Sequence, residues 1–463
     1  MRNISNLFLS ISFTILIYIL YKDIIYHKGI LHNFYWKYYI ISTFLILFSI
    51  TTYFINKEEK IKLLKISFYL IIFLYSVEGS LNLNQQYHVN KLVDKLENNL
   101  NKSDNFDKRT VAKYVLEENI KQKDFLVSPT VFRNKNNLKI LPLSSKSFTN
   151  SFVEDIEFGN YHKWQTDRYG FRNFDDVWDK NEVEAIVLGD SYLMPGEMNK
   201  SISANLKKLI NENRKLKKDT GGGSVIELAV GGGGTLYEYA IAKEYMLNKK
   251  VKNLILFYFE PNDLTNLQNE LKDPILNKYF EQEKFIQNLI YKQNIVDNMY
   301  NNSDHGKLEQ NIRADGAYSK KTISQKIKSI YKFEWSRFAK FYKLRELTIE
   351  SNKNKPIDEF KILIKKFKKL SKNNNTNFYF VYVPGINRYL KNFEVNESSE
   401  YYEGIIKILK NLEINIIDLN KELYSKVSNP LKYFPLESFG HTTLNANIAV
   451  SKIIFERIYN KER

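Results

Sequence analysis

The sequence has no cysteine. That excludes disulfides and thiolate chemistry, but it leaves the compartment open, because a cysteine-free chain can live in either redox environment. Histidine is scarce, six in 463 residues. None of the six forms H-x-x-H or H-E-x-x-H, which argues against a histidine-based metal site. The phosphate-binding arrangement G-x-x-x-x-G-K-S/T is missing, and no lipidation motif occurs. Nor does the net charge of +17 gather into a long basic run interleaved with exposed aromatics, since Lys and Arg are scattered among Asn and Ile along the whole chain. The charge reads as lysine-rich composition with an attraction to anionic membrane or polysaccharide surfaces, and nucleic acid is not an expected partner.

Core-forming material is abundant, with 43% hydrophobic and 14% aromatic residues. The length accommodates two to three domains at roughly 150 residues each. Asn3 to Tyr21 and Tyr38 to Ile55 carry no charge, and each is nearly long enough to cross a hydrocarbon layer of ~30 Å. A third stretch, Ile66 to Val77, is bounded by Lys65 and Glu78. It spans if the helix begins near Ile61 and Lys62 and Lys65 snorkel. Residues 1–83 are therefore expected to form a membrane region of three transmembrane helices. Arg2 and the loop of Lys57, Lys60, Lys62 and Lys65 lie on one side, and Lys22, Lys28 and Lys37 on the other. The positive-inside bias then favours an inside amino terminus, with the bulk of the chain exported. A cleaved signal peptide is not expected, because the first span lacks a small-residue cleavage site and further spans follow.

Residues 84–124 are polar with a loose helical period and read as a stalk helix and linker, and 125–463 as the main domain. Phe125 to Glu157 reads as irregular or β structure. Tyr161 to Asn173, YHKWQTDRYGFRN, has two readings. It is either a packed loop sealing one sheet edge or a loop at the mouth of a site, where Trp164, Arg168 or Tyr169 touches substrate.

Val183 to Leu188 reads as a buried strand broken by Gly189-Asp190-Ser191. Ser191 is then either a helix-capping turn serine or a hydroxyl placed for chemistry, because ligands of open α/β sheets bind beyond the carboxyl ends of the strands. Ser201 to Leu216 reads as a helix and Ser224 to Ala229 as a second strand. The strand runs into Gly231-Gly232-Gly233-Gly234, before a helix from Thr235 to Asn248. The glycines make a tight turn or offer amide donors at a helix start. Asn253 to Phe259 is a third strand, ending in Glu260-Pro261-Asn262-Asp263. Residues 271–351 read as a helical insertion or a lid. Helices over Ile357–Asn373 and Glu397–Leu412, strands over Phe378–Val383 and Ile414–Asp418, and a final helix over Leu444–Tyr459 complete a βαβα alternation. That alternation implies a parallel sheet covered on both faces. His441 alone among the histidines lies in a sheet-edge loop just before a helix; His27, His32 and His88 fall in or next to the membrane part, His162 in the aromatic loop and His305 in the insertion.

Taken together, Gly189-Asp190-Ser191, Gly232, Asn262-Asp263 and His441 resemble the four blocks of the SGNH hydrolase, or GDSL-like, esterase family, in the family's order. The D-x-x-G-F-R segment Asp167–Arg172 also resembles bacterial, membrane-tethered members that act on acyl groups of exported polysaccharides. The resemblance implies a flavodoxin-like three-layer α/β/α domain with no cofactor. It makes Ser191 the nucleophile, His441 the general base, and Gly232 and Asn262 oxyanion donors together with the Ser191 amide; Asp190 and Asp263 join Trp164, Arg168 and Tyr169 as substrate-contact candidates. Two positions depart from the pattern. Ser438 stands where an aspartate usually orients the histidine, so either Glu437 substitutes or the site is a dyad, and Glu227 stands where the second block usually begins with asparagine. The implied activity is a serine esterase or O-acyltransferase at a bacterial cytoplasmic membrane, with its domain outside, acting on acyl groups, acetyl above all, of a surface glycan or a small ester. The alternative is an inactive glycan-binding or assembly subunit. Oligomeric state is not legible.

Overall fold

The computed structural model describes residues 2–26, 32–101, 107, 109, 113–114, 117–118, 125–127, 138–155, 160–216, 223–246, 249–302, 333–348, 355–389, 397–437 and 440–460. The chain divides into two compact units, Met1–Lys91 with Ile327–Asn354, and Leu92–Lys326 with Lys355–Arg463.

The first unit opens with helices α1 (Arg2–Leu20), α2 (His32–Thr51) and the part of α3 (Lys57–Asn101) up to Lys91. Between α1 and α2 the small polar side chains point inward: the Ser12 and Ser49 hydroxyls lie 2.9 Å apart, and Ser5 donates to the Thr52 carbonyl at 3.2 Å. Large apolar side chains such as Phe44 and Leu47 point outward. Among the described residues one helical stretch, Asn3–Ile25, is long and apolar enough to cross a membrane. The third apolar stretch does not end near residue 83. It continues without a break through the polar residues expected to form a stalk, so that α3 is one helix of 45 residues.

The second unit begins with a small sheet. Strand β1 (Phe125–Val127) pairs in parallel with β2 (Asn150–Asp155), which pairs antiparallel with β3 (Asn160–Gln165). The first half of the segment read as an aromatic loop is thus a strand. The backbone of Tyr161 to Gln165 finds its hydrogen-bond partners on β2, and the loop proper starts at Thr166.

The main sheet follows the alternation expected from the sequence: β4 (Glu182–Gly189), α4 (Ile202–Leu216), β5 (Val225–Ala229), α5 (Thr235–Tyr245), β6 (Lys250–Phe259) and α6 (Asp263–Glu270). After α6 come α7 (Leu276–Glu281) and α8 (Gln293–Asn302). These begin the stretch expected to be an insertion, but Tyr279, Leu289, Val296 and Tyr300 are buried in the core beside α5. Glu244 of α5 accepts from the amides of Gln287 (2.5 Å) and Leu289 (2.7 Å). This part is therefore a wall of the domain and not a lid. The later part, α9 (Trp335–Phe338) and α10 (Tyr342–Thr348), belongs to the first unit. The chain then returns through α11 (Ile357–Asn373), β7 (Asn377–Val383), α12 (Glu397–Asn411), β8 (Asn415–Asp418), α13 (Leu419–Glu422) and α14 (Leu444–Tyr459).

All five main strands are parallel, in the order β5-β4-β6-β7-β8. Numbered within the sheet this is 2-1-3-4-5, the flavodoxin-like doubly wound order. Period-2 alternation divides the strand side chains between two cores. Ile186, Leu188, Leu254, Leu256 and Phe380 meet α5, α11 and α12 on one face. Ala185, Val187, Ile255, Phe257 and Val381 meet α4 and α14 on the other. The first strand, β4, lies between the second and third, so successive connections leave it in opposite directions. The crevice this opens at the carboxyl ends of β4 and β6 is where such sheets bind ligands.

Candidate active site

Ser191 follows the carboxyl end of β4, the central crossover strand. The turn that presents it is closed locally: the Asp190 carboxylate accepts from the Tyr192 amide at 2.8 Å. His441 comes from the opposite end of the chain, two residues before the N-cap of α14. That cap is fixed by the Thr443 hydroxyl, which accepts from the Ala446 amide (3.2 Å), and by the Thr443 amide, which donates to the Tyr433 carbonyl (3.1 Å). The result is a contact across 250 residues, with His441 Nε2 lying 3.1 Å from Ser191 Oγ. Both side chains are partly exposed. Burial holds the imidazole below its ordinary value of 6.5, and the nearby Asp190 carboxylate opposes that shift. A neutral imidazole within hydrogen-bond reach of a hydroxyl is competent to accept its proton.

Asn262 caps the β6 end. Its Nδ2 donates to Asp190 Oδ2 at 2.8 Å, and its side chain makes no capping bond to α6. An amide nitrogen carries two hydrogens, so one of the pair remains for a further acceptor. The glycine loop is tied to the same rim by the Val230 amide, which donates to the Gly189 carbonyl at 3.2 Å. Gly232 has φ +78°, the left-handed region that glycine enters without a Cβ penalty. From the other side α6 braces the loop: Asn266 Nδ2 donates to the Gly233 carbonyl (3.2 Å), and Glu270 accepts from the amides of Gly234 (2.6 Å), Leu236 (3.1 Å) and Tyr237 (3.3 Å). No hydrogen bond among the described residues engages the amides of Ser191 and Gly232.

Asp190 and Asp263 lie beneath the site, where a substrate does not reach them. They are 2% and 0% exposed, and Asp263 accepts from the Phe259 amide at 2.8 Å. Arg168 is spent on Asp175 and Asp179, its Nη2 lying 2.7 and 2.6 Å from their carboxylates. Tyr169 packs edge-on against Trp178. Trp164 is buried beside Arg172 and lines a cavity of about 460 Å³ with Phe148, Asn173, Phe174 and Glu197. Ser191 and His441 are not among its lining residues. Glu437 sits at φ +55°, after Leu436 at +52°, and accepts from Asn429 Nδ2 at 3.3 Å. Among the described residues no carboxylate hydrogen-bonds His441, and Ser438 lies outside them. His162 is not at this site: it pairs with Asp155 at 2.6 Å in the small sheet. His27 and His305 also lie outside the described residues.

The D-x-x-G-F-R segment acts as a clasp. The buried Arg172 guanidinium donates to the carbonyls of Met194 (2.6 Å) and Gly196 (2.5 Å), pinning the loop that leaves Ser191. Asn173 brackets β5 by bonding both the amide and the carbonyl of Glu227. Asp167 accepts from Tyr169, Phe171, Asn173 and Trp178, yet burial still pushes its carboxyl up to about 6. Glu227 itself is buried, and Arg172's charge opposes the rise that burial imposes on it. A second strut was not found from the sequence. Glu260, just past β6, accepts from Arg388 Nε (2.7 Å), Tyr382 (2.5 Å) and the Gly385 amide (2.8 Å), fixing the turn that presents Asn262. The available signal was an arginine in the loop beyond the fourth strand of the sheet, facing a glutamate beyond the third.

Fold and site together define a three-layer α/β/α domain with a serine–histidine pair at its strand ends. No known family profile matches the sequence, and no curated protein does. Among solved structures the chain is similar to an acetyl xylan esterase (13% identity, 60% of this chain and 100% of that one, TM-score 0.30). It is also similar to a lipase/acylhydrolase from Enterococcus faecalis (10% identity, 60% and 96%, TM-score 0.31). A third is a GDSL-like lipase from Bacteroides thetaiotaomicron (10% identity, 62% and 91%, TM-score 0.28). At these values the likeness decides nothing about chemistry, which has to come from the site's own geometry.

Proposed function

We propose that the protein is a serine esterase or O-acyltransferase, anchored in a bacterial cytoplasmic membrane by three spans with its α/β domain outside. It acts on acyl groups, acetyl above all, of an exported polysaccharide. The observation that carries the chemistry is the 3.1 Å approach of His441 Nε2 to Ser191 Oγ. In this reading His441 takes the serine proton as Oγ attacks the acyl carbon. The negative oxygen that forms is met by the amides of Ser191 and Gly232 and by the second Asn262 hydrogen. Collapse expels the sugar hydroxyl with the proton from His441 and leaves an acyl-serine. Water or another sugar hydroxyl then takes the acyl group, so hydrolysis and transfer share the first half.

The membrane part of the reading is supported by α1 and α2, where serines are buried and phenylalanines exposed. That is the reverse of a water-soluble helix pair and suits helices surrounded by lipid. A second reading, a glycan-binding or assembly subunit without turnover, is favoured by one observation: Glu437 is bonded to Asn429, and no described carboxylate bonds His441. The two separate on one experiment. The full chain in detergent is expected to be labelled by a fluorophosphonate probe and to hydrolyse an aryl acetate, with both lost in Ser191→Ala. Labelling unchanged in Ser191→Ala removes the nucleophile, and a folded, unlabelled protein that binds glycan favours the second reading. Alkaline phosphatase fused after Arg463 is expected to be active; an inactive fusion overturns the topology.

A further inference from the structure

Helices α9 and α10 come from a chain segment inserted between two elements of the catalytic unit, yet they fold with α2 and α3. Their attachment is specific. The buried Glu78 carboxylate of α3 accepts from the amides of Lys343 (3.0 Å) and Leu344 (2.7 Å), the first turn of α10. Tyr75 of α3 lies with its ring 4.3 Å from that of Phe341 and 5.4 Å from that of Phe338, and its hydroxyl donates to the Ala339 carbonyl at 3.1 Å. Arg345 sits over the ring of Tyr38 on α2 at 5.2 Å. The turn between the helices is made by Phe341 at φ +52°, a backbone conformation costly for an aromatic residue.

The height of this attachment is informative. Along α3 the apolar run, with Phe68, Tyr69 and Phe73 all about 60% exposed or more, ends at Val77, and beyond Glu78 the exposed apolar side chains Leu83 and Tyr87 stand singly among polar residues. Glu78 is five residues past Phe73, about 7 Å along a helix axis. On α2 the contact residue Tyr38 falls among Tyr35, Trp36 and Tyr39, an aromatic cluster at the helix start. The hairpin is therefore held where apolar surface gives way to polar, the level at which Trp and Tyr collect in membrane proteins. Its own composition matches. The sixteen residues from Phe333 to Thr348 contain five aromatic side chains, four basic (Arg337, Lys340, Lys343, Arg345) and two acidic (Glu334, Glu346), a net +2. Trp335 is 76% exposed even though its ring meets those of Phe333 (5.0 Å) and Phe338 (6.0 Å) edge-on, and Lys340 is exposed. A tryptophan that caps an aromatic cluster with most of its ring still exposed, flanked by cations, is the pattern of an interfacial segment, with rings at the acyl boundary and cations at the phosphates.

We infer that α9 and α10 form an interfacial hairpin that binds the anionic headgroup layer of the bilayer holding α1–α3, with Trp335 as the inserted ring. This rests on the membrane reading above, and the test keeps the two apart. Because the chain has no cysteine, single cysteines can be introduced without background. Trp335→Cys is one site, with Ser336→Cys as a second that retains the tryptophan should the first fail to fold. Phe13→Cys on α1 and Lys361→Cys on α11 serve as references.

Each full-length variant is labelled with nitrobenzoxadiazole and reconstituted in vesicles of equal parts phosphatidylcholine and phosphatidylglycerol carrying shallow or deep nitroxide lipids. The hairpin label is expected to be blue-shifted and quenched severalfold more by shallow than by deep nitroxide, and less quenched in pure phosphatidylcholine. The Phe13 label should be quenched by deep nitroxide and the Lys361 label by neither. A hairpin label that behaves like Lys361 while Phe13 is quenched overturns this inference and leaves the membrane reading standing. If Phe13 is also unquenched, the membrane reading fails and takes the hairpin with it. Equal quenching in both lipid compositions rejects recognition of anionic headgroups.

Discussion

Replacing Asn262 by alanine tests the oxyanion assignment most directly, because the structure separates the two jobs its side chain can do. One Nδ2 hydrogen is committed to Asp190 Oδ2 at 2.8 Å. The other is free for the transition state. Loss of one preorganised oxyanion donor costs about 3 to 4 kcal/mol of barrier, a fall of about 10²–10³ in kcat. Loss of the Asp190 bond acts on stability instead. The carboxylate retains the Tyr192 amide, so the cost is about 1–3 kcal/mol. Helix α6 loses no capping bond, since the Asn262 side chain makes none. The assay is aryl acetate hydrolysis across pH, with a thermal midpoint on the same preparation. A drop in the kcat plateau at nearly unchanged KM is expected. Were Asn262 only a brace acting through Asp190 on His441, the acidic limb would move and the plateau would hold. A folded variant that loses less than about tenfold, 1.4 kcal/mol, refutes the assignment.

Ser191→Ala and His441→Ala are each expected to remove kcat by on the order of 10⁴–10⁶, and the double variant should lose scarcely more, because the two act as one unit; additive losses would break the pair. Asp190→Asn removes the charge that opposes the lowering of the His441 pKa, so the acidic limb of kcat/KM should move to lower pH; a move upward contradicts the geometry. Glu437→Gln should leave kcat nearly unchanged, because its carboxylate is engaged with Asn429. A loss like that of His441→Ala would make Glu437 the orienting group. Arg172→Leu strips two hydrogen bonds from the loop after Ser191 and should cost about 2–4 kcal/mol in urea unfolding; an unchanged midpoint would show that the clasp is idle.

The main sheet was legible because its strands are unbroken apolar runs that end in polar turns, and each run from Val183–Leu188 to Ile414–Asp418 became a parallel strand. Ser191 and His441 could be singled out for the same reason, since each stands at a boundary between a strand or loop and a helix. The clasp and the struts could not be read. Arg172, Glu260 and Arg388 are charged residues in loops, and only long-range geometry tells a buried tie from a solvated charge. Asp190 and Asp263 were read as substrate contacts for a related reason: the ends of strands host both inward caps and outward ligands, and sequence does not give the direction of a side chain. The insertion misled because its polar composition hides Tyr279, Leu289, Val296 and Tyr300, spaced too irregularly to show one face. The hairpin from Trp335 to Thr348 was invisible as such, since nothing local tells a segment which unit it will join.

Four carboxylates beneath the glycine loop and strand ends pose a problem for any site that must stabilise a negative oxygen. Asp190, Glu238, Asp263 and Glu270 are all buried. Both Glu238 oxygens and Asp263 Oδ1 have no hydrogen-bond partner among the described residues. If all four were ionised, their field would oppose the oxyanion. Burial resolves this for three of them, while the bonds that Asp190 accepts from Asn262 and the Tyr192 amide oppose its own rise: Glu238 stands well above its ordinary value through desolvation and the charges of Asp190 and Glu270. Asp263 is raised likewise through desolvation and the charge of Glu238, and Glu270 reaches about 7.

An acid whose folded-state value exceeds its unfolded one favours folding while protonated and loses that contribution as pH rises through the folded value. For Glu270 the loss runs from 4.5 up through about 7, and for Glu238 and Asp263 it begins at their ordinary values of 4.5 and 3.8 and extends to higher pH. The thermal midpoint should therefore decline from mildly acidic to alkaline pH. Glu238→Gln, which fixes the neutral form, should flatten the decline and leave the acidic end nearly unchanged. A variant that follows the parent at every pH would mean that Glu238 is already ionised in the fold. The oxyanion would then form above a standing negative charge, and the amides of Ser191 and Gly232 with Asn262 could not supply the stabilisation assigned to them.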